Sequence, residues 1–170
     1  ETDFRLSTDI TPTTAIPTYV VHGDKLTLKV ASINDTLKEI PPKYIDMFKH
    51  GEVENLGFHI RTLVQFLIVY SPFKNYKNLC FIDTPGYNPA GSISVEDRQI
   101  TVKYLEEADI ILWLIGLAEN GTIPKSDIDF LREIDLDNKK LFVVLNKADL
   151  RDISDIEKII KTVKQELNKN

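Results

Sequence analysis

Two short polar loops, each closing an apolar run, constrain this chain more than any other feature. Asp83-Thr84-Pro85-Gly86 follows Leu79-Cys80-Phe81-Ile82, and Asn146-Lys147-Ala148-Asp149 follows Leu141 to Leu145. Apolar runs this short, bounded by turn residues, are strand-sized. Helical patterns lie around them. Ser94, with Asp97 three residues on, leads into Val95 to Ala108, and Pro124 opens a stretch through Ile134. Strands alternating with helices predict an α/β fold: a doubly wound, mostly parallel sheet with helices on both faces. In such sheets ligands bind outside the carboxyl ends of the strands, where both loops fall.

The remaining elements follow from turn residues and periodicity. Tyr19-Val20-Val21-His22 and Lys25 to Val30 flank Gly23-Asp24, which predicts a tight hairpin. Thr36 to Ile40 and Lys43 to His50 read as helix, interrupted by Pro41-Pro42. Thr62 to Tyr70 reads as a strand, and Ile110 to Leu117 as a buried one, with Lys140 to Leu145 next. Ser154 and Glu157 form a capping-box pattern before a last helix, on which Ile156, Ile159, Ile160, Val163 and Leu167 share one face. Lys158, Lys161 and Lys164 beside that face read as solvated stems lying over the core.

With 170 residues, one domain is expected. A formal net charge of −5 argues against a nucleic-acid partner, which calls for a basic surface. The longest apolar run, Ile110 to Ile115, is far short of a bilayer span. The single cysteine, Cys80, fits a reducing, cytoplasmic setting. His22, His50 and His59 lack metal-ligand spacing, and no Gly-x-Ser-x-Gly or Cys/His arrangement points to another hydrolase. Glu1-Thr2-Asp3 has neither a basic nor an apolar character, so nothing resembles a signal peptide.

The two loops, in this order, resemble the switch II and guanine-reading motifs of P-loop GTPases of the translation-factor, Ras and dynamin class. The resemblance implies a role for each residue. Asp149 would accept from the ring N–H and the exocyclic amine of guanine, and an acceptor left unpaired disfavours adenine. Asn146 would tie neighbouring loops together and face the base, while the stem of Lys147 would cover the base plane. Asp83 would hold Mg²⁺ through water, and the N–H of Gly86 would meet the γ-phosphate, where a Cβ would obstruct the approach. Pro12-Thr13-Thr14-Ala15 resembles switch I, whose threonine binds Mg²⁺ and the attacking water. Thr14 fits that role, with Thr13 as the alternative register. The implied ligands are GTP or GDP with Mg²⁺.

Within that class, spacing selects a subfamily. Thr14 and Asp83 lie sixty-nine positions apart, where compact GTPases place a short hairpin. With Thr-Thr-Ala-Ile-Pro-Thr and Asp-Thr-Pro-Gly-Tyr-Asn, the chain looks like the GTPase domain of a bacterial dynamin-like protein. Switch I would cover about 7–18, an inserted hairpin and helical region about 23–62, switch II 83–94, and the guanine-recognition loop 146–149. Tyr87 stands where Ras-type enzymes carry a water-orienting glutamine. Dynamin-like proteins also lack that glutamine and use phosphate-loop residues, a monovalent cation and dimerisation across the nucleotide face. The resemblance therefore implies a GTPase acting as a self-associating, membrane-remodelling protein, peripheral at the inner face of a membrane, which it reaches through regions outside these residues. An Era-like ribosome-assembly GTPase and a nucleotide-free pseudo-GTPase are the alternative readings.

No Gly-x-x-x-x-Gly-Lys-Ser/Thr occurs, the first glycine being Gly23. The expectation is a partial GTPase domain, inactive by itself, that lacks the phosphate-loop strand and the last strand and helix. That strand would lie between the one ending at Asp83 and the one from Ile110 to Leu117. The strands flanking the gap are expected to pair directly with each other or with a second copy of the chain.

Overall fold

A computed structural model describes residues 16–48, 62–85, 95–117, 123–136 and 138–168. The chain divides into two compact units, Glu1–Asn88 with Ile93–Thr101, and Pro89–Ser92 with Val102–Asn170. The predicted cap at Ser94 lies outside the described residues.

The first unit is built on one five-stranded sheet. Its strands are β1 (Thr18–His22), β2 (Thr27–Ser32), β3 (Leu37–Ile40), β4 (Val64–Ser71) and β5 (Cys80–Asp83), in the order β3-β2-β4-β1-β5. Period-two alternation sets the core. Leu28 stands opposite Val69 and Val30 opposite Leu67, so their side chains share one face. Leu28, Leu67 and Val69 are buried there with Ile16, and Ile45 and Phe48 pack on from the 3₁₀ turn Pro42–Phe48.

The expected hairpin between Tyr19–His22 and Lys25–Val30 does not form. β4 lies between the two strands, parallel to β1 and antiparallel to β2. β4, eight residues long and buried at Leu67 and Val69, pairs with both strands and so takes the place between them. Gly23 is required for another reason: its N–H donates to the Ser71 carbonyl at 3.0 Å, and a Cβ there would come within 2.8 Å of the Tyr70 Cβ. Gly23→Ala is expected to destabilise the protein by about 1–3 kcal/mol through that overlap, measured as a lowered urea midpoint. Tyr70→Ala keeps the Cβ and so should not rescue Gly23→Ala, whereas Tyr70→Gly, which removes it, should relieve the overlap.

Thr36–Ile40 is not helical either. Leu37–Ile40 pairs antiparallel with β2, and Lys43 to Phe48 is 3₁₀ rather than α-helix. The turn before β3 carries Asp35 in the left-handed region (φ 56°), and Ser32 N–H donates to Thr36 O at 3.0 Å. Asn34-Asp35 tolerates that conformation better than most residue pairs. The sheet is also not mostly parallel: β1–β4 is its one parallel pair, beside three antiparallel ones.

In the second unit β6 (Ile110–Gly116) and β7 (Lys140–Asn146) run parallel. The helices are α1 (Val95–Glu107), which leads in from the first unit, α2 (Lys125–Glu133) and α3 (Ile153–Asn168). One strand face packs on α2 and α3: Trp113, Ile115, Val143 and Leu145 meet Ile128, Ile156, Ile159 and Val163. The other face pairs Leu112 with Phe142 and Leu114 with Val144, and all four are exposed. The strand expected to be buried is thus covered on one side, and the helices α2 and α3 share a single face rather than dividing between two. Among the described residues, β5 belongs to the five-stranded sheet and β6 to the two-stranded one.

Helix ends are satisfied from a distance. Lys139 Nζ donates to the carbonyls of Glu106 (2.6 Å) and Ala108 (2.9 Å), supplying the cation that the last turn of α1 lacks. α3 begins one residue before Ser154: Asp155 and Ile156 N–H groups donate to the Asp152 carbonyl, which makes Asp152 the capping position.

Candidate functional site

β7 delivers Asn146 to the carboxyl end of the small parallel sheet, and the chain turns there. Asn146 Oδ1 accepts from the Lys147 N–H at 2.9 Å. Lys147 is left-handed, with φ 59° and ψ 36°. For a residue with a Cβ that costs roughly 1–2 kcal/mol, so surrounding contacts must hold it. A 3₁₀ turn, Ala148–Leu150, follows, with Leu150 N–H donating to Lys147 O and Arg151 N–H to Ala148 O, both at 3.2 Å. Asp149 sits in this turn, exposed, as are Asn146 and Lys147.

Leu117, just beyond β6, meets this loop. Its N–H donates to the Asn146 carbonyl at 3.0 Å, and its own carbonyl accepts from Arg151 Nε at 3.0 Å. Sequence reasoning passed over both Leu117 and Arg151. No local pattern marks them, because the partners are 34 positions apart.

The other loop belongs to the first unit. Asp83 is the last residue of β5, half-buried and opposite Thr18. Two residues on, Pro85 is fully buried, and its carbonyl accepts from the buried Thr101 hydroxyl at 3.3 Å. The start of the Asp-Thr-Pro-Gly loop is thereby tied to α1, the helix that follows it. Thr13, Thr14 and Gly86 lie outside the described residues, as do most of 7–18 and 86–94. The structure therefore brings together Asn146, Lys147 and Asp149, and places Asp83 at the carboxyl end of its own strand.

Chemically, the 146–151 loop presents an exposed carboxylate from a backbone held at both ends. That suits a flat heterocycle offering two adjacent N–H donors. Among the described residues, no cluster of His, Cys, Asp and Glu is close enough to hold a metal by itself. Partial burial pushes the Cys80 thiol above its ordinary value, away from the thiolate a nucleophile needs. No helix among the described residues is long and apolar enough to cross a membrane.

Residues 3–148 match the sequence profile of the dynamin family. A protein of Caldicellulosiruptor sp. (strain Rt8B.4), named "Uncharacterized protein in xynA 3'region", is 25% identical over 91% of this chain and 37% of its own length. "Dynamin-like protein 1" of Campylobacter jejuni subsp. jejuni serotype O:23/36 (strain 81-176) is 30% identical over 85% of this chain and 20% of its own. The chain thus spans well under half the length of these relatives. Among solved structures, an oligomerised bacterial dynamin pair, described as providing a mechanism for long-range sensing and tethering of membranes, superimposes with a TM-score of 0.68. That likeness covers 96% of this chain and 27% of the other at 20% identity, and it supports a GTPase-like α/β fold.

Proposed function

The chain belongs to the dynamin family, and on that footing we propose that it forms part of a GTPase domain in a protein that binds and hydrolyses GTP. The observation that carries this reading is the 146–151 loop, an Asn-Lys-x-Asp turn at the carboxyl end of a parallel strand with its carboxylate exposed. Asp149 reads the two donors of guanine. The Lys147 stem covers the ring, and Asn146 holds the entry to the loop. At the phosphate side, the N–H of Gly86 meets the γ-phosphate, and Thr14, or Thr13 in the alternative register, orders over it.

Mg²⁺ would be held by the carboxylate at the end of β5 and by the threonine hydroxyl, both oxygen donors of the kind it prefers. When bound, Mg²⁺ neutralises charge that develops on the phosphates. Asp83 would hold it through water. The 170 residues contain no Gly-x-x-x-x-Gly-Lys-Ser/Thr, so the phosphate cradle comes from polypeptide outside them, and a monovalent cation beside it is part of the same reading. The domain boundaries stand as proposed from sequence: switch I at about 7–18, the insertion at about 23–62 and switch II at 83–94. By analogy with the dynamin pair, the protein self-associates through its GTPase domain and acts peripherally at a membrane from the cytoplasmic side.

The test compares two polypeptides. A longer polypeptide that adds a phosphate loop to these residues should bind a fluorescent GTP analogue, with displacement by GDP and not by ADP. Residues 1–170 alone should bind it very weakly and hydrolyse no GTP measurably. Micromolar binding by 1–170, or displacement by ADP as effective as by GDP in the longer polypeptide, would contradict the reading.

A further inference from the structure

One residue holds both ends of the base-reading loop. Leu117 donates its N–H to Asn146 O where the loop leaves β7, and it accepts from Arg151 Nε where the loop closes, each at 3.0 Å. Leu117 is itself anchored, its side chain 1% exposed in the core of the second unit. Resting on the guanine-nucleotide reading above, we propose that Arg151 is a positioning residue for base selection. Its guanidinium closes loop 146–151 onto the end of β6 and so sets where the Asp149 carboxylate stands.

The physical case has three parts. The near end of the loop continues the β6–β7 ladder and needs no further help. The middle contains Lys147 in a left-handed conformation that an L-residue leaves when it is released. The far end returns to β6 through the Arg151 side chain. A guanidinium suits that task, because its planar fork fixes the direction of the contact and a bond from a charged donor is stronger than a neutral one. Asp149 lies two residues before Arg151, inside the segment so closed. Two simultaneous contacts from one carboxylate to a ring N–H and an exocyclic amine tolerate little displacement, so releasing the far end should cost the second contact first.

Inosine diphosphate isolates that contact, since hypoxanthine keeps the ring N–H and lacks the exocyclic amine. In the longer polypeptide that supplies the phosphate loop, with Mg²⁺, the affinities of GDP and inosine diphosphate are measured by calorimetry for wild type, R151A and R151K. The preference for GDP should fall about tenfold in R151A, with R151K, which keeps a positive donor, retaining more of it. A purely structural role would weaken both nucleotides equally. An unchanged ratio in R151A, an equal loss for both ligands, or no advantage of R151K over R151A overturns the role of Arg151. If R151A does not fold, R151Q is read by the same ratio against the same outcomes. A wild-type chain that fails to prefer GDP over ADP overturns the GTPase reading instead, and this inference with it.

Discussion

Asp149→Asn should lower GTP affinity by about 10²–10⁴-fold and raise affinity for xanthosine triphosphate. Guanine offers two donors side by side, and a carboxylate accepts from both. An asparagine amide keeps one acceptor and turns a donor toward the exocyclic amine, so one hydrogen bond is lost and two donors face each other. Hydrogen bonds to a charged group contribute about 1.5–3 kcal/mol each. One gives way to a donor–donor contact and the other loses its charged partner, so the loss approaches two such bonds, about 3–6 kcal/mol, where a tenfold change in affinity is about 1.4 kcal/mol. Xanthine carries a carbonyl where guanine carries the amine, and that carbonyl accepts from the asparagine N–H. The exposed position of Asp149 in the 3₁₀ turn leaves stability nearly unchanged by the substitution. Affinities of the longer, phosphate-loop-containing polypeptide for both triphosphates provide the measurement. Unaltered GTP affinity would remove Asp149 from base recognition.

The contrast between Asp149 and Arg151 marks how far the sequence could be read. Asn146, Lys147 and Asp149 form a contiguous motif after an apolar run, and the strand, turn and exposure follow from that run and its polar end. Arg151 works through Leu117, and a side chain reaching back 34 positions leaves no trace in local pattern. The same divide runs through the fold. β4, β5, α1, β6, α2, β7 and α3 carry their own periodicity and turn residues, and each lies where the pattern places it. The β1–β2 hairpin failed because β4, more than thirty residues later, takes the position between them. Leu37-Lys38-Glu39-Ile40 contains good helix formers, and the open edge of β2 overrode that preference. Asn34-Asp35 was the turn signal available for that correction. Burial was misjudged on β6 for a related reason. A continuous apolar run reads as covered on both faces, whereas whether a layer lies on the second face depends on elements the run does not specify.

Phe130→Ala is expected to destabilise the second unit by about 3–5 kcal/mol, a large share of the roughly 5–15 kcal/mol that holds a typical domain together. Phe130 is 0% exposed and lies at the centre of the amphipathic face of α2. Its ring stands 5.7 Å from that of Trp113 on β6, and Trp113 Nε1 donates to Asp127 Oδ2, one turn earlier on the same helix, at 3.1 Å. Truncation would remove the largest fully buried side chain among the described residues and leave a void beside the indole. The neighbours, a strand and a hydrogen-bonded tryptophan, cannot easily collapse into it. Trp113 is the single tryptophan of the sequence, so urea unfolding followed by its emission reports directly on this contact. Phe130→Leu, which keeps most of the volume, should cost under about 1.5 kcal/mol. A Phe130→Ala midpoint close to that of the leucine variant would mean that the void closes, and that α2 is held to β6 by the Trp113–Asp127 bond rather than by packing.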